Sequence, residues 1–164
     1  MGVICAVLAF MSVPTGCRRQ PVDKPGTAPI ENTAARQEEN SMKEQAAMTL
    51  TIGQADFTVI PADTEAAREL AARLPLDLDM TELNGNEKYA GLDRPLPQRA
   101  ENVRHIEAGD VMLWGDDCLV VFYKSFDTPY SYTRIGRIAD ARSLARAVGK
   151  GNVPVRLGLA KTTE

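Results

Sequence analysis

The sequence predicts a mainly β domain, a closed antiparallel barrel whose ends are covered by two helices. Between residues 48 and 164 the chain has about seven or eight short segments in which apolar and polar residues alternate, the spacing of half-buried strands. Only two segments have helical spacing, and strands do not alternate with helices, so βαβ units and a parallel sheet are not expected. Closing such a sheet removes its exposed edges, which favours a barrel.

The first elements are a hairpin, a helix and a strand. Residues 49–60, TLTIGQADFTVI, contain two alternating runs around a Gly-Gln pair, which predicts a β-hairpin. The segment TEAARELAARL has a helical apolar stripe that Asp63 or Thr64 can cap and that Pro75 ends. Residues 76–80 alternate again, so we expect a half-buried strand there.

The second half of the region begins with a loop. Residues 81–110 are rich in Asn, Gly and Pro and are predicted to be mostly loop. The segment ARSLARAV predicts a second helix, which Asp140 caps and Gly149 ends. Further strands are predicted at residues 110–114, 118–123, 132–138 and 153–159.

The first seventeen residues have the pattern of a signal peptide. The apolar run from Val3 to Val13 has the length of a signal-peptide core and is too short to span a bilayer as a helix. Small residues followed by Cys17 resemble the lipobox of bacterial lipoproteins. This resemblance implies that Cys17 is lipidated and that the protein is anchored to a membrane of the cell envelope. The alternative is a cytoplasmic protein whose translation starts at Met48.

Residues 18–47 are predicted to be a disordered linker. The segment has no aromatic residue, three prolines, and five basic side chains that balance five acidic ones. It cannot bury enough apolar surface to offset the entropy of ordering. The folded domain is therefore predicted to span residues 48–164.

Charge and cysteine content limit the possible partners. The net charge of −3 argues against binding nucleic acid through bulk electrostatics. The cysteines at 5, 17 and 118 and the single histidine lack the spacing of metal ligands, so no metal site and no cofactor are predicted. We expect a monomer without a disulfide in the folded domain.

Three segments occur in order along the domain: MTLTIGQADFTVIPADTEAARELAARLPL, ELNGNEKYAGL and AGDVMLWGDDCLVVFYKSFDTPYSYTRIGRI. Together they resemble the small bacterial cyclophilin-like fold proteins, from Met48 to about Leu159. The resemblance implies a closed, eight-stranded cyclophilin-like β-barrel with two capping helices, in agreement with the fold predicted from the residues.

Cyclophilins themselves are peptidyl-prolyl isomerases whose arginine lies in the run F-H-R, followed by F-x-x-Q-G-G-D. Arg94, Arg99 and Arg104 lie in the corresponding part of this chain without either motif, so no catalytic residue is assigned. The sequence therefore predicts a domain that binds a peptide or small-molecule ligand. The alternatives are a diverged peptidyl-prolyl cis-trans isomerase acting on exported proteins and an accessory module of an electron-transfer protein.

Aromatic residues are concentrated in one stretch. The chain has 1 Trp, 4 Tyr and 4 Phe, and five of these nine residues lie within residues 122–132. Several are in or beside a predicted loop, where binding residues concentrate, and an arginine nearby can pair with a carboxylate or stack on a ring. The alternative is plain loop packing. The predicted ligand-binding residues are Tyr89, Phe126, Tyr130, Tyr132 and Arg134.

The remaining reactive or large side chains are assigned structural roles. Phe122 and Trp114 lie in predicted strands and are expected in the core. Cys118 begins an apolar strand and is expected to be a buried, inert thiol. His105 stands alone in a predicted loop and is expected to be solvated.

Overall fold

The computed structural model describes residues 46–161, and within that range the chain forms eleven strands and two helices. The helices are α1 (Glu65–Ala72) and α2 (Leu144–Val148). The strands are β1 (Met48–Ile52), β2 (Ala55–Pro61), β3 (Leu76–Leu83), β4 (Glu87–Gly91), β5 (Glu101–Asn102), β6 (His105–Ile106), β7 (Asp110–Trp114), β8 (Cys118–Phe122), β9 (Phe126–Asp127), β10 (Ser131–Ile138) and β11 (Val153–Leu159).

The predicted signal peptide, the lipidation site Cys17 and the linker as far as residue 45 lie outside the described residues. Within residues 46–161, neither helix has the length and apolar character needed to cross a membrane.

Eight strands form the barrel. Their order around the sheet is β2-β1-β11-β3-β4-β8-β7-β10, and every neighbouring pair is antiparallel. The sheet closes where Gly136–Ile138 of β10 pair with Val59–Pro61 of β2. The predicted closed antiparallel barrel of eight strands with two helices is therefore confirmed.

The barrel interior is filled by alternate residues of the strands, as expected when one face of a closed sheet is buried. On β7 these are Val111 and Leu113, and on β8 they are Leu119 and Val121. The helices contribute fully buried leucines to the same core, for example Leu70 of α1. The helices thus serve as the end covers that the sequence predicts.

The start of α1 is fixed by Thr64. Its hydroxyl accepts a hydrogen bond from the backbone N–H of Ala67 at 3.1 Å and donates one to the carbonyl of Arg134 in β10 at 2.8 Å. Of the two predicted caps, Thr64 is therefore the one used, and Asp63 pairs with Arg68 on the surface. One side chain both caps the helix and attaches it to the barrel.

The second helix is shorter than predicted. It begins at Leu144, after Ser143, instead of directly after Asp140. The Asp140 carboxylate accepts hydrogen bonds from the backbone N–H and the guanidinium of Arg142, so it stabilises a turn before the helix. The predicted end at Gly149 is correct.

The prediction that residues 81–110 are mostly loop is wrong at its start, because β3 continues to Leu83 and β4 follows at Glu87–Gly91. The inward-facing residues of β4 are Lys88 and Ala90, both buried. A lysine at an inward position hides the alternation by which a strand is recognised. Local sequence could not reveal β4, because two of the acceptors that allow this lysine to be buried belong to the distant segment between α2 and β11.

Lys88 is fully buried, and its ammonium group is completely paired. It donates to the carboxylate of Glu82 and to the carbonyls of Gly149 at 3.1 Å and Gly151 at 2.6 Å. The Tyr123 hydroxyl donates to the same carboxylate at 2.8 Å. Burial and this hydrogen bond raise the pKa of Tyr123 to about 12. Burial acts to raise the pKa of Glu82, but hydrogen bonds from Lys88 and Tyr123 outweigh it and hold that pKa below its ordinary value.

A small ribbon covers part of the barrel's outer face. In it, β6 pairs with β9 in antiparallel register, so that His105 is opposite Asp127 and Ile106 is opposite Phe126. Ile106 is fully buried in a second apolar cluster. The barrel side chains in this cluster, which belong to the outward-facing positions of β7, β8 and β10, are Met112, Val120, Phe122 and Tyr132.

Candidate ligand-binding groove

Beside the ribbon, the outer face of the barrel holds an open groove with a volume of about 400 Å³. This lies within the range of about 300–1,000 Å³ typical of small-molecule sites. The residues that line it come from β3, β4, β7, β8, β10 and the adjoining loops. They are Leu83, Asn84, Glu87, Tyr89, Trp114, Cys118, Val120, Tyr130 and Tyr132.

Strand register brings the groove residues together. Tyr89 of β4 is directly opposite Val120 of β8, and Trp114 of β7 is opposite Cys118 at the start of β8. Directly opposite residues of neighbouring strands point to the same side of the sheet. Since Leu119 and Val121 face the barrel interior, these four side chains face outward.

Three aromatic rings form one wall of the groove. The Trp114 ring is 5.3 Å from that of Tyr130 at an angle of 88°, and 5.3 Å from that of Tyr132 at 56°. Tilted and edge-to-face contacts of this kind are favoured by aromatic quadrupoles. Trp114 and Tyr130 remain 44% and 57% exposed, whereas Tyr132 is buried. The wall therefore presents large aromatic surface to solvent.

The expectation that Trp114 lies in the core is wrong. The strand DVMLW is apolar at four successive positions, so its sequence does not indicate which side faces the interior. Val111 and Leu113 face inward, which places Met112 and Trp114 outside. Met112 is covered by the ribbon, but Trp114 at the strand end is not. The same register confirms that Phe122 is buried, although in the outer cluster instead of the barrel interior.

Three of the five predicted ligand-binding residues, Tyr89, Tyr130 and Tyr132, line this groove. Phe126 instead packs against Phe122 with ring centres 5.7 Å apart, inside the ribbon's apolar cluster. Arg134 is exposed on β10 and is not among the lining residues. Binding by these side chains stays a prediction. Trp114, which was expected in the core, also lines the groove.

Glu87 is the one charged residue among those that line the groove. Its side chain is half-buried, and it forms no ion pair with another residue of the described range 46–161. Burial, followed by the negative charge of Glu82, raises the pKa of Glu87. The groove therefore contains a partly desolvated carboxylate without a basic partner.

Two further groups of the groove, the Cys118 thiol and the Tyr132 hydroxyl, have raised pKa values. Burial raises the pKa of the Cys118 thiol, with smaller contributions from Asp117 and Glu87. Burial, then the charge of Glu87, also raises the pKa of Tyr132. Cys118 is half-exposed in the groove, not buried as predicted, and its raised pKa favours the thiol over the reactive thiolate.

His105 lies in the ribbon, away from the groove lining, and is not the isolated loop residue that was predicted. Its Nδ1 is 2.5 Å from Asp127 Oδ1, and its Nε2 is 3.3 Å from Glu107 Oε1. The hydrogen bond with Asp127 is the main reason that the pKa of His105 is raised. Within residues 46–161 no group of three or more His, Cys, Asp or Glu side chains is arranged to hold a metal ion.

Comparison with known proteins yields a family match and similar solved structures. A family model described as "Cyclophilin-like family" matches residues 50–158. The solved structure of McbB in complex with tryptophan is 19% identical, with a TM-score of 0.54, and the match covers 73% of this chain and 47% of McbB. The hypothetical protein AF2241 from Archaeoglobus fulgidus is 20% identical, with a TM-score of 0.53, and the match covers 70% of this chain and 95% of that one.

At these identities the two structures are similar to this chain in fold alone, and the chain spans about half the length of McbB. No curated protein sequence matches the chain significantly.

Proposed function

The chain belongs to the cyclophilin-like family, and we propose that its barrel binds a small ligand or peptide in the outer-face groove, without the usual isomerase residues. The observation that carries this proposal is a pair of aromatic side chains that line the groove and remain exposed. Trp114 is 44% exposed and Tyr130 is 57% exposed. Large apolar surface left open in a concave, aromatic site is the usual setting for ligand binding.

Aromatic compounds are the first class to test. The rings of Trp114 and Tyr130 and the buried Val120 give the groove apolar surface, while Glu87 and Asn84 supply polar groups. A few polar groups in a mainly apolar pocket are typical of sites that orient a small ligand. McbB, which is similar in fold, has been solved with tryptophan bound, so aromatic amino acids belong among the test compounds.

The chain has 1 Trp, and that residue is in the groove, so intrinsic fluorescence reports directly on its occupancy. We expect at least one compound from a set of aromatic amino acids, aromatic amines and proline-containing peptides to change Trp114 emission saturably. L-tryptophan is tested by calorimetry, because its own emission masks that of the protein.

The matched variants separate groove binding from a general surface effect. Tyr130→Ala should weaken the affinity of that compound, because it removes one ring of the wall. Leu159→Ala removes another exposed apolar side chain, 53% exposed and outside the groove, and should leave the affinity unchanged. No change in emission or heat with any compound would contradict the proposal.

A diverged peptidyl-prolyl isomerase is the alternative function for this groove, and family membership is the observation that favours it. Such catalysis uses a guanidinium directed at the prolyl nitrogen, which weakens the amide resonance in the transition state. No arginine is among the residues that line the groove in the described part of the chain. A protease-coupled assay should therefore show no acceleration, and a measurable rate that is lost in Arg134→Ala would replace the binding proposal.

We also propose that the domain is exported and lipid-anchored through Cys17, on the strength of the apolar run and lipobox-like end of residues 1–17. Mass spectrometry of the mature protein should find an acylated Cys17 at its N-terminus. Cys17→Ser should abolish the acylation and release the protein from membranes. A mature N-terminus at Met48 would contradict export.

A further inference from the structure

The groove joins aromatic rings to one carboxylate, and no basic side chain of residues 46–161 is in its lining. We propose that its ligand is a small organic cation, an ammonium group attached to an apolar or aromatic body. This inference rests on the proposed function, because it names the class of ligand for the same groove.

Glu87 gives the groove a negative charge, because its carboxylate is half-buried and has no ion-pair partner among residues 46–161. Its sequence neighbour Lys88 cannot neutralise it, because alternation turns Lys88 inward. There the ammonium group already donates to Glu82, Gly149 and Gly151. Burying a charge without a partner is costly, and a bound cation supplies that partner.

The wall formed by Trp114, Tyr130 and Tyr132 also favours a cation. The faces of aromatic rings carry negative potential and attract cations, tryptophan most strongly. The planes of the three rings differ by 88° and 56° where they contact Trp114, so they do not form a flat stack. A wall of differently oriented rings beside a carboxylate is suited to an ammonium group and its attached carbons.

The size of the groove favours a small molecule over a peptide chain. Its volume of about 400 Å³ is near the lower end of small-molecule sites. An anionic ligand of the same size would be repelled by Glu87 and would meet no basic side chain in the lining. A monoamine with one ring or a short branched body matches both the charge and the space.

The test uses three probes that share a phenyl ring and differ in charge: phenethylammonium, 2-phenylethanol and phenylacetate. Each is titrated into the full chain at neutral pH and low salt, with Trp114 emission as the readout. We expect phenethylammonium to bind about tenfold more tightly than 2-phenylethanol, since a partly desolvated cation–π contact and an ion pair together are worth at least that ratio. Phenylacetate should bind more weakly than either.

Glu87→Gln keeps the shape of the side chain and removes its charge. We expect this variant to abolish the preference for phenethylammonium while the affinity for 2-phenylethanol changes by less than about twofold. The control is Asp79→Asn, which removes the same charge from an exposed position of β3 that does not line the groove, and it should retain the preference.

The outcomes distinguish this inference from the proposed function. Equal affinity for the ammonium and the alcohol would overturn the cation proposal and leave a binding groove. An unchanged preference in Glu87→Gln would overturn it as well. Tighter binding of a blocked lysyl tetrapeptide than of phenethylammonium would show that the cation belongs to a peptide and would overturn the small-molecule assignment. Failure of every compound, including the screening set, would overturn both proposals.

Discussion

Lys88 is a fully buried cation, and its role in the barrel is defined by three acceptors. Glu82 lies beside it in the next strand, while the carbonyls of Gly149 and Gly151 belong to the loop between α2 and β11. The ammonium group therefore fastens that loop to the β3–β4 hairpin. Because all its hydrogen bonds are inside the protein, removing it leaves one oxygen of the Glu82 carboxylate and two carbonyls without this donor.

We expect Lys88→Met to destabilise the domain by about 3–5 kcal/mol, the cost of breaking one side of a buried ion pair. The measurement is the free energy of unfolding from urea titration. Lys150→Met changes an exposed lysine of the loop that Lys88 holds, and should change that free energy by no more than about 0.5 kcal/mol. Equal effects of the two substitutions would show that the buried pair is not a stabilising contact.

At the scale of elements, the β6–β9 ribbon divides the outer face of the barrel into a covered and an open part. Ile106 and Phe126 close the apolar cluster over Met112 and Phe122. The groove begins where this cover ends, at Trp114 and Tyr130. The ribbon itself has only two paired residues in each strand, so its side-chain contacts matter for its stability.

One of these contacts gives the ribbon a testable pH dependence. The carboxylate of Asp127 raises the pKa of His105. The stabilisation by this ion pair is therefore fully present below about pH 6.5, the ordinary pKa of histidine, and is lost as the pH rises through the higher pKa of the folded state. We expect Asp127→Asn to lower the midpoint of the His105 imidazole titration, measured by NMR. Glu107→Gln should lower it less, because that contact is longer, at 3.3 Å against 2.5 Å. An unchanged midpoint in Asp127→Asn would contradict the pairing.

Some elements of the fold can be predicted from their local sequence, and others cannot. β1, β2 and β11 alternate cleanly, and their hairpin and strand predictions are correct. β4 could not be predicted, because two of the three acceptors of its inward lysine are backbone carbonyls 61 and 63 residues away. The predicted start of α2 was wrong because an aspartate before an apolar stripe is typical of a helix cap. The Asp140 carboxylate instead binds Arg142, two residues ahead, in a turn.

The candidate groove could be predicted only in part, because the sequence does not show which side of each strand is covered by other elements. Tyr89, Tyr130 and Tyr132 were selected because large aromatic side chains stood in or near predicted loops, and the barrel does bring them together. Trp114 was missed because a uniformly apolar strand does not reveal its outward side. Phe126 was assigned to the binding set because the sequence does not show that it packs from the ribbon against Phe122.

At the scale of the whole molecule, barrel closure depends on the close approach of β10 to β2. The register of β10 shifts between Arg134 and Gly136, and Gly136 then pairs with Pro61 of β2. A Cβ at Gly136 would lie 2.5 Å from the carbonyl oxygen of Ile60 and 3.2 Å from the Cα of Pro61. Because these are backbone atoms, the strands would have to separate to admit a side chain.

We therefore expect Gly136→Ala to lower the free energy of unfolding by about 1–3 kcal/mol, the usual cost of forcing extra atoms into a packed site. Gly158→Ala in β11 is the matched control, because a Cβ there meets no atom within 4 Å, and its effect should stay within about 0.5 kcal/mol. Chemical denaturation of both variants measures the difference. Tolerance of alanine at 136 would mean that the two strands do not close the barrel as tightly as described.

The groove is the feature of the whole molecule on which the functional proposals depend, and NMR mapping of a bound probe tests it most directly. Phenethylammonium is titrated into the full ¹⁵N-labelled chain while backbone amides and the Trp114 indole N–H are followed. We predict saturable shifts at Trp114 and at the amides of Tyr89 and Tyr132, with one common affinity, and little change at Met48 or Leu157 across the barrel. Shifts confined to another surface, with the Trp114 indole unmoved at saturation, would contradict the assignment of this groove as the ligand site.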